Sequence, residues 1–290
     1  MFCINNTQTK HNNNNNITMT NAPETYVLLD WIKKDKLAWD RLSGNPNAIH
    51  LLEKNPSKIN WSWLSGNPNA MRILEKNPKK IDWLQLSCNV NAIGLLEKNP
   101  TKINWNVLSR NPNGLSLLEK YPQKGDWYWL SQNPNAIHLL EKNHDEIDWC
   151  LLSSNPNAIH LLEENPEKIN WSLLSSNPNA IHLLEKNPKK IDWSCLSENP
   201  NAIHILEENP EKIDWFMIAD NPNAIHLLEK NREKIDWRYF SANPSIFKKI
   251  INYKFLKKRM DKIREELIMK CMHPSRLECW IEMGGEIDDF

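Results

Sequence analysis

Ten tryptophans, Trp39, Trp61, Trp83, Trp105, Trp127, Trp149, Trp171, Trp193, Trp215 and Trp237, follow one another at intervals of 22 residues. Not one insertion or deletion separates them. A strict period of this length means one supersecondary unit repeated, too small to bury its apolar face except against its neighbours. Counted from each Trp, the unit reads W-x-x-L-S-x-N-P-N-A-I-H-L-L-E-K-N-P-x-K-I-D/N. A half-unit precedes the first Trp, because LDWIKKDKLAW echoes LLEKNPSKINW.

Each unit reads as two short helices. Asp or Asn at unit position 22, such as Asn60, Asp82 or Asp148, can accept from the free N–H groups of a helix that starts at the Trp. That helix stops near the Asn of position 7, which is present in all ten units, for example Asn45, Asn133 and Asn243. Asn followed by Pro is a start signal, so a second helix is expected to run through NAIHLLEK. In the first unit it ends at Asn55, where a left-handed cap is expected before Pro56. Projection turns Ala48, Ile49, Leu51 and Leu52 to one face, with Trp39 and Leu42 on the inner face of the first helix. Neither helix is long enough to stand alone in water.

The predicted fold is all-α, an α-solenoid of about ten two-helix units with a C-terminal capping helix. A leucine-rich β-solenoid shares the repeat length but needs an apolar residue at unit position 6. That position holds Gly44, Gly66, Arg110, Gln132, Ser154, Glu198 and Asp220. Helices stacked about 8–10 Å apart would make a rod or superhelix about 80–100 Å long. Buried indoles are the largest apolar payload available, so the ten tryptophans are the expected core. Their use as stacking platforms for bases or sugars is the weaker reading, because Leu42, Leu64, Leu86 and Ile59, Ile81, Ile103 recur almost as strictly beside them.

Four segments follow. Residues 1–22 are polar and Asn-rich, a composition that cannot offset its ordering entropy, and read as a disordered tail. Residues 23–38 are the half-repeat, 39–245 the repeats, and 246–290 the C-terminal cap and acidic tail. In the last, Tyr253, Leu256, Met260, Ile263, Leu267 and Cys271 recur at spacings of three or four and mark a longer amphipathic helix. Its other faces carry Lys254, Lys257, Lys258, Arg259, Lys262 and Arg264. A cap over the last apolar face is favoured over a basic nucleic-acid arm, since GEIDDF adds acid nearby. HPSRLECWIEMGG reads as one last short helix. The fourth unit departs most from the common phrase, with Gly114, Ser116, Tyr121 and Gly125, and is expected to be a soft joint.

The variable positions say where a partner would bind. Positions 2, 3 and 6 share the first-helix face opposite Trp and Leu. Position 3 is mostly apolar, including Trp63, Trp129, Met217 and Tyr239, and either packs on a neighbouring helix or lines an extended sticky surface. Position 2 adds Leu84, Tyr128 and Phe216, the better-exposed partner candidates. The histidines of position 12, His50, His138, His160, His182, His204 and His226, read as a solvated ridge. Neighbours about 10 Å apart do not share a zinc ion whose Zn–N bonds are about 2 Å.

No GxGxxG, P-loop, HExxH or nucleophile elbow occurs, and ten similar units offer no single unlike constellation for catalysis. The chain is read as non-enzymatic, without cofactor or metal. Cys271, His273 and Cys279 lack a fourth zinc ligand. Zero formal charge and the recurring Glu of position 15 weigh against nucleic acid as partner. The six scattered cysteines, the lack of a secretory core near Met1 and the lack of a long apolar run predict an intracellular protein with no membrane span.

LSSNPNAIHLLEENPEKINW, together with the ending MHPSRLECWIEMGGEIDDF, resembles a family of repeat proteins from mimivirus-like giant viruses, over about residues 37–290. Arg72, Gly94 and the fourth unit depart from the common phrase. The resemblance implies no particular activity. It implies a viral protein acting in host cytoplasm or carried in the particle. The function expected is a scaffold that binds another protein along its surface, with nucleic-acid binding or a structural particle component as alternatives.

Overall fold

The computed structural model describes residues 25–250 and 253–271, with His273 and Arg276. The expected N-terminal tail and the last short helix lie outside these residues, apart from those two. Residues 28–248 form one compact unit, and the helix Tyr253–Cys271 belongs to a second.

Within the first unit the all-α repeat architecture is regular. A first helix starts at the Trp in nine of the ten repeats, as in Trp61–Gly66 and Trp193–Glu198. The cap of position 22 works as expected: Asn60 accepts from the Trp63 N–H, and Asp82 from those of Leu84 and Gln85. The second helix starts later than its Asn-Pro signal. Asn155 instead caps a turn by accepting from the Asn157 N–H, and the helix begins at Ile159. A third element, one turn of 3-10 helix such as Pro166–Lys168, follows it. The Asn before that turn is not left-handed (φ is −134° at Asn55), and its amide donates to the Leu51 carbonyl.

First helices of consecutive units pack directly on one another through most of the array, while second helices sit farther apart. The array therefore curves, with the first helices on its inner side.

The curvature runs to closure. Asn67 Nδ2 donates to the carbonyls of Ser43 and Asn45 in the preceding unit, at 3.0 and 2.9 Å. Asn45, in the first unit, makes the same two bonds to Ser241 and Asn243 of the last, at 3.1 and 2.8 Å. Asn47 donates to the Pro244 carbonyl just as Asn69 does to Pro46. The solenoid is thus a closed ring of ten units, each turning about 36°, where an open rod or superhelix was expected.

The tenth unit is assembled from both ends of the repeat region. Trp237–Ile246 supplies positions 1–10, and Leu29–Ala38, the N-terminal half-unit, supplies positions 13–22. The Leu29 N–H donates to Ile246 at 2.9 Å, as Leu183 does to Ala180 within its own unit. The Ala38 N–H donates to Ser241 Oγ, as Asn60 does to Ser43 Oγ. Lys34–Lys36 forms the 3-10 turn, and Ile32 and Leu37 are buried. Trp31 stacks on Phe240 at 5.7 Å. The strands Thr25–Leu28 and Phe247–Ile250 pair where the chain enters and leaves. The first unit covers the free face of the last. Residues 257–270 of the C-terminal helix are exposed.

The core differs from the expected indole spine. Leu of position 4, Ala of position 10 and Leu of position 14 are fully buried in most units, for example Leu174, Ala180 and Leu184. All ten tryptophans are only half-buried. In eight units the ammonium of the position-20 lysine sits over the ring, from Lys168 on Trp149 at 4.1 Å to Lys36 on Trp237 at 4.8 Å. The indoles are amphipathic lids over the leucine column.

The column also holds polar side chains with complete hydrogen bonding. Position-7 asparagines are at most 1% exposed, and each ties itself to the unit before it by two donated bonds. Ser of position 5 donates to the Trp carbonyl one turn back and accepts from the N–H of position 22, as Ser153 does with Trp149 and Asn170. In the ninth unit Ala219 replaces this Ser, and the first helix there reduces to the 3-10 turn Ile218–Asp220.

Candidate binding surface

Positions 2, 3 and 6 of the first helices point away from the second helices, toward the ring axis. Position-3 side chains are half-buried between neighbours. Arg41 is sandwiched between Trp63 at 4.4 Å and Tyr239 at 4.5 Å, one from each adjacent unit. Arg110 lies over Trp129, and Trp63 sits 3.3 Å from where a Gly44 Cβ would be. Of the predicted partner residues, Trp63, Trp129 and Tyr239 therefore each pack on a side chain of an adjacent unit, and Met217 is half-buried.

Leu84, Tyr128 and Phe216 are exposed by 47, 50 and 43%. Tyr128 meets Trp129 edge-on at 5.1 Å, and Phe216 lies 4.0 Å from Tyr239. At the same position the other units carry Asp40, Ser62, Asn106, Cys150, Ser172, Ser194 and Arg238. The three apolar residues fall in units three, five and nine, so the ring brings together no continuous strip of them.

The same face holds an acidic pair that sequence reasoning passed over as merely variable. Burial pushes the Glu198 carboxyl up to about 7, with Asp220 adding to the rise. Burial pushes Asp220 to about 6 against the opposing pull of Arg41. Arg41 Nε and Asp220 Oδ1 are buried with no hydrogen-bond partner among the described residues. Both carboxyls bind protons more tightly folded than unfolded, so their contribution is present in acid and is lost as pH rises from about 4 to 7. Urea unfolding should show the ring about 1–3 kcal/mol more stable at pH 5 than at pH 8. Glu198→Gln with Asp220→Asn should flatten that slope. An unchanged slope in the double variant would assign it elsewhere.

On the outer side, the position-12 histidines pair across units. His160, His182, His204 and His226 reach Glu141, Glu163, Glu185 and Glu207 of the preceding unit at 2.9–3.1 Å. They are about half exposed, as a solvated ridge requires. Among the described residues no group of three or more His, Cys, Asp or Glu could hold a metal ion. The Cys271 side chain and Cys279 lie outside those residues. No described helix is long and apolar enough to cross a membrane. No protein-family model, curated protein or solved structure matches the chain.

Proposed function

We propose that the chain is a non-enzymatic repeat scaffold that binds a protein partner through the position-2 side chains of its first helices. The observation that carries this reading is the exposure of Leu84, Tyr128 and Phe216, at a position where the other seven units are polar or small. A scaffold built of near-identical units varies only where variation is tolerated or used. At this position Ser62, Ser172 and Ser194 donate to the aspartate that caps the next first helix, a bond that Leu84, Tyr128 and Phe216 cannot make, and all three large apolar groups remain about half exposed. The resemblance to giant-virus repeats supports a role in the infected host cell or the particle, testable by looking for the chain in purified particles.

Tyr128→Ala combined with Phe216→Ala should lower the melting temperature by only about 2–5 °C, since both side chains are about half exposed and lose one aromatic contact each. The same change should remove the specific partners recovered by affinity capture from infected cells. Equal recovery with wild type and variant would refute the proposed surface.

The exposed basic residues Lys257, Lys258, Lys262 and Arg264 on the C-terminal helix favour nucleic-acid binding as a second reading. It requires an affinity that falls steeply with added salt. Binding that does not respond to salt would remove it.

A further inference from the structure

Of the ten tryptophans at unit position 1, Trp105 and Trp127 lack the lysine lid of the other eight, and both line one cleft. The cleft has a volume of about 640 Å³. Its floor is Gly125, where eight units carry Ile and the split unit Leu37. The missing side chain is the reason the wedge between the two indoles is open. A Cβ at Gly125 would find only ordinary contacts at 3.5 Å, so no crowding forces glycine there, and its φ is an unstrained −65°.

The missing cations have equally local causes. Trp105 meets Tyr121 edge-on at 5.2 Å, and Tyr121 stands where other units have Asn or Lys33. Lys124 lies along the cleft wall without covering Trp105. For Trp127 the residue at the lid position is Glu146, in an acidic turn, His144–Glu146, where other units read Pro-x-Lys, Arg-x-Lys or, in the split unit, Lys-x-Lys. Asp126 adds a carboxylate to the cleft wall.

Compared with its neighbours, this wedge lacks an aliphatic group and an ammonium against indole. The geometry points to a binding site for the lysine or arginine side chain of a partner polypeptide, its alkyl stem filling the space above Gly125 and its cation lying against Trp105 and Trp127. The ring's other units hold that chemistry in the same place with their own lysines. The carboxylate of Asp126 in the cleft wall complements an incoming cation, while Lys124 opposes it. The site goes beyond the scaffold reading and does not depend on Leu84, Tyr128 or Phe216.

The test uses the full-length protein and two small probes, n-butylammonium and its neutral counterpart n-butanol. Indole N–H resonances are followed by NMR and assigned through Trp→Phe variants. Butylammonium should shift Trp105 and Trp127 saturably, and the other eight should respond little. Gly125→Ile restores the common phrase and fills the wedge, and should weaken binding about tenfold or more, the loss of a desolvated cation–π contact. Lys124→Gln should tighten binding about two- to threefold by removing a like charge. Uniform shifts across all ten indoles, or none, would overturn the site. An equal response to butanol, or indifference to Lys124→Gln, would overturn its cationic character.

Discussion

A chain lacking residues 1–38 should lose most of its stability, although it keeps all ten tryptophans. The deletion removes positions 13–22 of the tenth unit, including buried Ile32 and Leu37 and the Trp31 contact with Phe240. It also removes the Lys36 lid on Trp237 and the Ala38 bond to Ser241. The first and last units then have half a partner between them. Domains are stable by only about 5–15 kcal/mol, so opening one of ten interfaces in a cooperative ring should consume most of that margin. Thermal unfolding should shift down by about 10 °C or more. Hydrogen exchange should accelerate first around Leu42 and Phe240. Adding a peptide of residues 25–38 in trans should restore part of the loss. A truncated chain with unaltered melting and exchange would mean that closure contributes nothing.

The second large effect belongs to the buried asparagines. Asn155→Ala should destabilise the ring by about 3–5 kcal/mol, beyond the usual range for a single polar truncation. The amide of Asn155 donates to Ser131 and Asn133 at 3.0 and 2.9 Å, and its Oδ1 accepts from Asn157. Alanine leaves the buried Ser131 carbonyl without its donor, the Asn133 carbonyl with only the Ala136 N–H, and a turn without its cap. Asn155→Ser restores an acceptor for the turn but neither inter-unit donor, so it should recover about 1 kcal/mol at most. Asn155→Asp should be as damaging as Ala, because a carboxylate faces two carbonyls. Full recovery by serine in a urea titration would show that the asparagine acts only as a cap.

These asparagines mark how far the sequence could be read. As N-caps they were legible, but Ser, Thr or Asp caps equally well. Retention of Asn in all ten units was the signal for something more. Only a side-chain amide combines an acceptor for the turn with two donors for the unit before. The period, the two helices and the caps at Asn60 or Asp82 followed from local chemistry and were readable for that reason. Closure was not, because curvature arises from the packing of units and is encoded in no one of them. Its trace was present all the same: LDWIKKDKLA supplies the positions that the last unit lacks after Ile246. The tryptophans misled through their size. Their burial is shared with the lysine of unit position 20, whose recurrence reads as a solubility feature until the ammonium is seen over the ring. Gly125 and Glu146 were both visible as departures, but nothing in sequence identifies the usual Ile and Lys at their positions as a pair of lids.

Closure by a shared tenth unit also constrains how such a molecule can change in length. An open array gains or loses a module at either end with little consequence for those in the middle. Here an eleventh module would require every joint to narrow to about 33°, against a wedge set by the alanine and leucine contacts that most units repeat. Duplication of one 22-residue stretch is therefore felt at all interfaces at once. Copy number in this chain behaves as a geometric quantity, held in place by the angle at which each module meets the next.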